Sequence, residues 1–401
     1  MASLIDFLTH PIVFGVLKIL FVLGFFVLGL TPLLVILERR ISAFMQGRVG
    51  PNRVDTPFIG RLGGLLPRGL GHPLADAIKL LFKEDIIPDK ADRALFMAGP
   101  VLVLVPPALG MIVIPFGSQI AGHELQVANL NVGILWTMSV LSVAVYGIAF
   151  GGWASNNKFS LLGGLRASAQ LISYELALGL SILTVLLLTA AVEPMGTVDP
   201  RAIVQRQMEH GWNILGGGNP WLAPFALLAF LLFFVSALAE NNRVPFDLPE
   251  CEAELVGGYH TEYSSMKFSL FMMGEFVGMT LMCSLMVTFF FGGWSLPPLN
   301  FWGALDHGLL AGANAWLRSG TLIAGLASIG IFVSKVMVFL LLYIAIRWTL
   351  PRFKYNQLMD LGWKRMVPIA LANLAAVTVI SVLTSPAVKT AVSAISTGGV
   401  K

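Results

Sequence analysis

Apolar residues gather in eight long runs, at roughly 12–37, 95–116, 132–152, 169–192, 222–239, 268–291, 321–346 and 367–384. Each is close to the ~20 residues that a helix needs to cross the hydrocarbon core of a bilayer. Segments at that depth must satisfy their own backbone N–H and C=O groups, which only helices and closed barrels do. The runs are too apolar and too long for barrel strands. The pattern therefore predicts an all-α fold: a polytopic membrane helix bundle of eight transmembrane helices, forming a single membrane domain over residues 1–401. The fifth run is the shortest and carries Pro224 near its start. No internal repeat of the kind common in secondary transporters is evident.

The loop between the first two runs, 38–94, is long and rich in glycine and proline, and its second half has a different period. Leu74, Ala77, Ile78, Leu81 and Phe82 fall at i, i+3, i+4, i+7 and i+8, on one helical face, with Asp76, Lys79 and Lys83 off it. Pro73 suits the first helical position. The acid early and the bases late agree with the helix dipole. The segment is too short to span. It predicts an amphipathic interfacial helix that lies along the membrane surface and frames an opening for an apolar ligand.

Composition agrees: 56% of the residues are hydrophobic and 12% charged, against ~25% charged in soluble domains. The net charge of +4 is spread over loops, with no basic run interleaved with aromatics, so a nucleic-acid partner is excluded. Lys and Arg are strongly partitioned. Nineteen lie in loops 38–94, 153–168, 240–267 and 347–366, and three in the alternate loops. By the positive-inside rule the first set faces the cytoplasm and both termini face the opposite, periplasmic side. No Lys or Arg precedes the first run, which therefore reads as a retained helix rather than a secretory signal. Two cysteines, Cys251 in a polar loop and Cys283 in an apolar run, are too few for an iron–sulfur or structural zinc site and badly placed for a disulfide.

Against this background the ionisable residues inside the runs stand out. Glu175, Glu275 and Lys335 each interrupt one, and Glu240 closes another. A charge at membrane depth is costly, so each is a functional candidate. The loop that follows Glu240 adds Asp247, Glu250, Glu252, Glu254 and Glu262, opposed only by Arg243 and Lys267. These acids alternate with Phe246, Leu248 and Leu255, which predicts a folded, partly buried segment. Carboxylates crowded in such a place exchange protons near neutral pH. Other signals are weak. Lys18 reads as snorkelling outward from the first run. His123–Val127 begins like a zinc-protease helix but lacks the second His, and Gly69-Leu70-Gly71 lacks the strand and third glycine of a dinucleotide fold. His260 reads as a local hydrogen-bonding group.

Five long segments carry a resemblance: ERRISAFMQGRVGPNRV (38–54), PLADAIKLLFKEDIIP (73–88), GWASNNKFSLLGGLRASAQLISYELALG (152–179), ALAENNRVPFDLPECEAELVGGYHTEYSSMKF (237–268) and TLPRFKYNQLMDLGWK (349–364). With these the chain resembles the H-type subunit family (subunit 1 in mitochondria) of the proton-pumping NADH–quinone oxidoreductase, respiratory complex I. The resemblance implies a membrane component that joins the peripheral and membrane arms. It implies a quinone chamber entered from the bilayer near the first run, the amphipathic helix and the sixth run, with ubiquinone or menaquinone as substrate. It implies no iron–sulfur cluster, flavin or metal in this chain and no catalytic centre of its own. The implied partners are the peripheral-arm quinone-site subunits, the adjacent small membrane subunits and the lipid of a bacterial inner membrane.

By the same resemblance, Glu175, Glu240, Asp247, Glu250, Glu252, Glu254, Glu262 and Glu275 stand at proton-coupling positions. Arg39, Arg40, Arg48, Arg53, Arg243, Phe246 and Lys335 are assigned to the chamber and its loops. The chain departs from the family at the longer stretch Ile59–His72, at His72 in place of Gln, and at Asn241, Cys251 and Trp348, which changes local tunnel shape. Two alternatives stay open from the residues: the equivalent component of a membrane-bound hydrogenase or ferredoxin-fed complex, and a stand-alone proton or cation carrier.

Overall fold

The structure is a computed structural model, and it describes residues 10–52, 54, 69, 71–190, 197–249, 252–297 and 309–384. In chain order its helices of more than one turn are α1 (Pro11–Met45), α2 (His72–Phe82), α3 (Arg93–Val113), α4 (Gly133–Ala154), α5 (Lys158–Ala190), α6 (Pro200–His210), α7 (Pro220–Glu240), α8 (Ser265–Phe290), α9 (Leu309–Leu317), α10 (Leu322–Thr349) and α11 (Tyr355–Thr384). Eight of them, all but α2, α6 and α9, are long and apolar enough to cross a membrane. Among the described residues the strands are confined to a hairpin of Gln119–Ile120 against His123–Glu124. The chain is a polytopic helical membrane protein.

Helices outrun the apolar runs that announced them. α1 continues to Met45, α5 begins at Lys158 and α11 at Tyr355, so much of the stretches 153–168 and 347–366 is helical. Apolarity reports the depth of hydrocarbon, whereas the polar residues beyond it retain helical propensity and carry the helix into the headgroup region.

α8 is the central helix. Every residue from Gly274 to Phe290 is buried, so Glu275 is enclosed by protein rather than lipid. α3 and α4 meet through small residues: a Cβ on Gly147 would stand 2.9 Å from the Gly99 carbonyl oxygen. Close backbone approach of this kind substitutes for the hydrophobic effect, which is lost between helices in lipid. Phe230 of α7 packs edge-on to Phe290 of α8 and beside Phe339 of α10, fixing those three helices together.

α2 lies where its sequence places it. Leu74, Ile78, Leu81 and Phe82 are exposed, an apolar face suited to the bilayer interface. Its other side is tied to the bundle. Asp76 pairs with Arg39 of α1 at 2.9 Å, and Ser265 at the start of α8 donates to the Leu80 carbonyl at 2.8 Å. Lys18 reaches from its span to a neighbouring loop. Its ammonium donates to the Gln126 carbonyl at 2.7 Å, which ties α1 to the loop after α3.

Candidate functional site

α1, α2, α8 and the end of α10 converge on a cavity of about 670 Å³. α1 contributes Val35, Glu38 and Arg39, α2 contributes Ala77 and Leu80, and α8 contributes Met272, Met273, Glu275 and Phe276. Arg243, from the loop after α7, and Arg347 and Trp348 of α10 complete the wall. The lining therefore joins an apolar stripe to a charged cluster of Glu38, Arg243, Glu275 and Arg347.

Those four groups form one chain. Glu38, Arg243 and Glu275 are each only 9% exposed. Arg243 Nη1 lies 3.5 Å from both carboxylate oxygens of Glu38, and its Nη2 lies 3.5 Å from Glu275 Oε2. Arg347 also pairs with Glu38. Tyr259 donates to Glu275 Oε1 at 3.0 Å. The Phe276 ring lies 4.5 Å from the Arg243 guanidinium carbon. Two cations against two anions leave the cluster neutral, which is the condition for keeping charges in a low-dielectric site. A planar guanidinium serves this bridging better than an ammonium, because its donors fan out in one plane toward two carboxylates.

The loop 241–249 is shaped to deliver Arg243. Gln170 of α5 donates to the carbonyls of Ala239 and Phe246 at 2.8 and 2.9 Å, clamping both ends of the turn. Asn242 takes a left-handed conformation at φ 48°, which asparagine tolerates better than most residues. Asp247, next along, pairs with Arg352 at 2.8 Å. Burial pushes its carboxyl up to about 6, with Glu275 adding to the rise, while Arg352 and Arg243 restrain it. Glu254 pairs with Arg166 at 2.7 Å, and Glu262 accepts from Asn157 at 2.6 Å. Asp247, Glu254 and Glu262 thus fold onto neighbouring elements and are dispersed among separate partners.

Glu175, on α5, contacts Ser142 of α4. It is also the acidic neighbour of Glu240, whose shielded Oε2 has no hydrogen-bond partner among the described residues. Three helices thereby hold two carboxylates and a hydroxyl within the bundle.

Other candidates lie elsewhere. Arg40 lines a separate surface hollow with Phe44 and Val49, and Arg48 contacts Gln46. Phe246 packs edge-on to Tyr174 and beside Phe353, in the core and outside the cavity lining. Lys335 sits at the far end of α8, where its ammonium donates to the carbonyls of Phe291 and Gly293 at 2.8 and 2.9 Å and also to that of Ser295. Arg53 and Glu250 lie outside the described residues, as does the side chain of Glu252.

Five residues of the arrangement escape sequence reasoning. Glu38 has a signal, since it closes an apolar run as Glu240 does. Arg347 and Arg352 are visible only as members of a basic loop. Ser142 and Tyr259 have none, because a hydroxyl among apolar residues is ordinary.

Known proteins share most of this chain. The NADH dehydrogenase family matches residues 17–378. The chain is 45% identical over 341 residues to an H-type subunit, numbered 1, of the NADH-quinone oxidoreductase of Cytophaga hutchinsonii, covering 84% of this chain and 88% of that one. It is 44% identical over 345 residues to NADH-quinone oxidoreductase subunit 8 of Rhodothermus marinus, covering 85% of this chain and 89% of that one. It is 42% identical over 341 residues to the H-type subunit of Salinibacter ruber, covering 85% and 88%. The chain belongs to the NADH dehydrogenase family, among the H-type membrane subunits of NADH–quinone oxidoreductase, complex I.

Proposed function

We propose that this chain forms the membrane-side part of a quinone chamber and the first stage of the proton-coupling path of its complex. The observation that carries the reading is the cavity between α1, α2 and α8. Its wall joins Met272, Met273 and Phe276 to the Glu38–Arg243–Glu275 chain. An apolar tail needs the first surface, and coupling to proton movement needs titratable groups at the second. The exposed apolar face of α2 supports an opening at bilayer level.

The quinone headgroup is reduced elsewhere in the assembly, by electrons from peripheral subunits. This chain guides the substrate and responds to it. A change of charge near the chamber alters the field on Glu275 and Asp247, and the carboxylates Glu240 and Glu175 extend the polar path into the bundle. The odd-numbered loops between spans face the cytoplasm in an inner membrane, both termini face the periplasm, and the peripheral-arm and small membrane subunits are the partners. The names of the relatives support the quinone-linked enzyme over a hydrogenase relative or a free carrier.

Filling the cavity tests the reading. Met273→Trp should raise KM for a long-chain quinone more than for a short-chain analogue and leave NADH oxidation by an artificial acceptor unchanged. Equal kinetics with both quinones in an assembled variant would remove the chamber from this chain.

A further inference from the structure

We propose that the end of the bundle remote from the chamber holds a binding site for a phosphate-bearing anion, built on Arg201, Trp294 and Arg318. A pocket of about 280 Å³ lies there, between the loop after α3, helix α6 and the segments that follow α8 and precede α10. The two cavities sit at opposite ends of the same helices. The chamber uses the first turns of α8 and the last of α10, whereas Trp294 follows the last turn of α8 and Arg318 precedes the first of α10.

The pocket has more donors than acceptors. Arg201 is 6% exposed; its Nη2 donates to the Ser118 carbonyl at 3.1 Å and its Nε lies 3.1 Å from Glu124. Its Nη1 is buried and has no acceptor among the described residues. Trp294 is 2% exposed, and its Nε1 has no acceptor among them either. The Arg201 guanidinium lies 5.5 Å from the Trp294 ring centroid, so both orphan donors belong to one corner of the pocket. Arg318 stands at the rim, held loosely by Glu209 at 3.6 Å and the Gln205 carbonyl at 3.5 Å. Glu124 is engaged at the Nε edge of Arg201 and is not part of the lining. Two guanidinium groups and an indole N–H thus face one lining carboxylate, Glu209.

Buried donors without acceptors are costly and call for a partner. Water is the simplest one, and the volume has room for about nine molecules at liquid density. Water supplies acceptors but no charge to set against the buried Nη1 edge of Arg201, whose Nε edge alone is paired with Glu124. A phosphate or phosphate monoester or diester supplies acceptors and negative charge together, with several oxygens that match the guanidinium fork. The pocket adjoins the ends of membrane-spanning helices, so the phosphate has two available sources, a phospholipid headgroup or the free ion.

The experiment follows arginine-specific modification of Arg318 by phenylglyoxal in the intact detergent-solubilised complex, with the modified peptide quantified by mass spectrometry. Inorganic phosphate, phosphatidylglycerol and chloride at matched ionic strength are compared. A several-fold slowing by phosphatidylglycerol alone supports the site with a lipid headgroup as its ligand. A slowing by inorganic phosphate, with or without the lipid, supports it with the free ion admitted. No slowing beyond that of chloride overturns it and leaves a water-filled pocket. Trp294→Phe keeps an aromatic ring and removes the donor, and it should weaken the protecting ligand about tenfold. Undiminished protection in that variant also overturns the proposal, and the wild-type comparison stands whether or not the variant assembles.

Discussion

Arg243 reaches from the loop after α7 to within 3.5 Å of Glu275 on the central helix, and this contact joins an acidic loop to a buried carboxylate of the bundle. The same guanidinium faces Glu38 of α1. It is therefore the hub on which the charge balance of the cavity wall rests.

Arg243→Ala leaves both carboxylates partnered: Glu38 keeps Arg347 and Glu275 keeps the Tyr259 hydroxyl. Breaking a buried pair outright costs on the order of 3–5 kcal/mol, and the surviving partners place this variant at or below the low end. The complex should assemble, and quinone reduction should slow by about tenfold or more, the equivalent of ~1.4 kcal/mol in the barrier. Arg243→Lys should recover part of the rate, since it restores the charge without the fork. Activity with quinone and with an artificial acceptor, measured side by side, checks this. Normal quinone turnover in an assembled Ala variant would show that the cluster is a passive support.

Glu175 contacts Ser142 and neighbours Glu240, inside three packed helices. Glu175→Gln keeps the shape and the hydrogen-bonding capacity but removes the titrating proton. Loss of a positioned acid–base group typically costs roughly 10²-fold or more, so quinone-dependent proton uptake in vesicles should fall strongly while acceptor-dependent NADH oxidation persists. Ser142→Ala should be milder, because the carboxyl remains. Full pumping in the Gln variant would leave Glu175 as a buried hydrogen-bonding residue only.

The fold was legible in the sequence because lipid permits few solutions, and the eight apolar runs marked the eight membrane-length helices among the described residues. The helix ends were less legible, since polar residues such as Lys158 and Tyr355 carry no mark of where a helix leaves the bilayer. The site was legible where a charge interrupted an apolar run, as at Glu275 and Glu175. It was not where function depends on which distant residue arrives opposite. Glu38 and Arg243 stand 205 positions apart, and no local pattern pairs them. The acids of the fifth loop read as one cluster, yet Glu254 and Glu262 bond to different residues of the α4–α5 region.

The proposed orientation is open to direct labelling. Lys158 and Asn131 are exposed and lie at opposite ends of α4. Single cysteines at these positions, read with a membrane-impermeant thiol reagent in sealed inside-out vesicles, should give labelling at 158 and protection at 131. Labelling of both from one side would break the assignment of the odd loops to the cytoplasm.

Asp247 gives a pH signature. Its carboxyl is pushed up to about 6, chiefly by burial, while the Arg352 guanidinium 2.8 Å away pulls it down. The folded state therefore holds this proton more tightly than the unfolded chain, where aspartate titrates near ~3.9. The contribution to stability is thus fully present below the ordinary value and declines as pH rises through about 6. Activity has the opposite sense, because the ionised form makes the pair with Arg352. As pH falls through about 6, quinone reduction should drop with an inflexion that Asp247→Asn abolishes. Arg352→Gln removes a group that favours the ionised form, so it should move the inflexion to higher pH. The measurement is quinone reductase activity from acid to neutral pH in wild type and both variants, normalised to the artificial-acceptor rate at each pH. Superimposable profiles in all three would show that Asp247 does not titrate in the working range and that its pairing with Arg352 is structural.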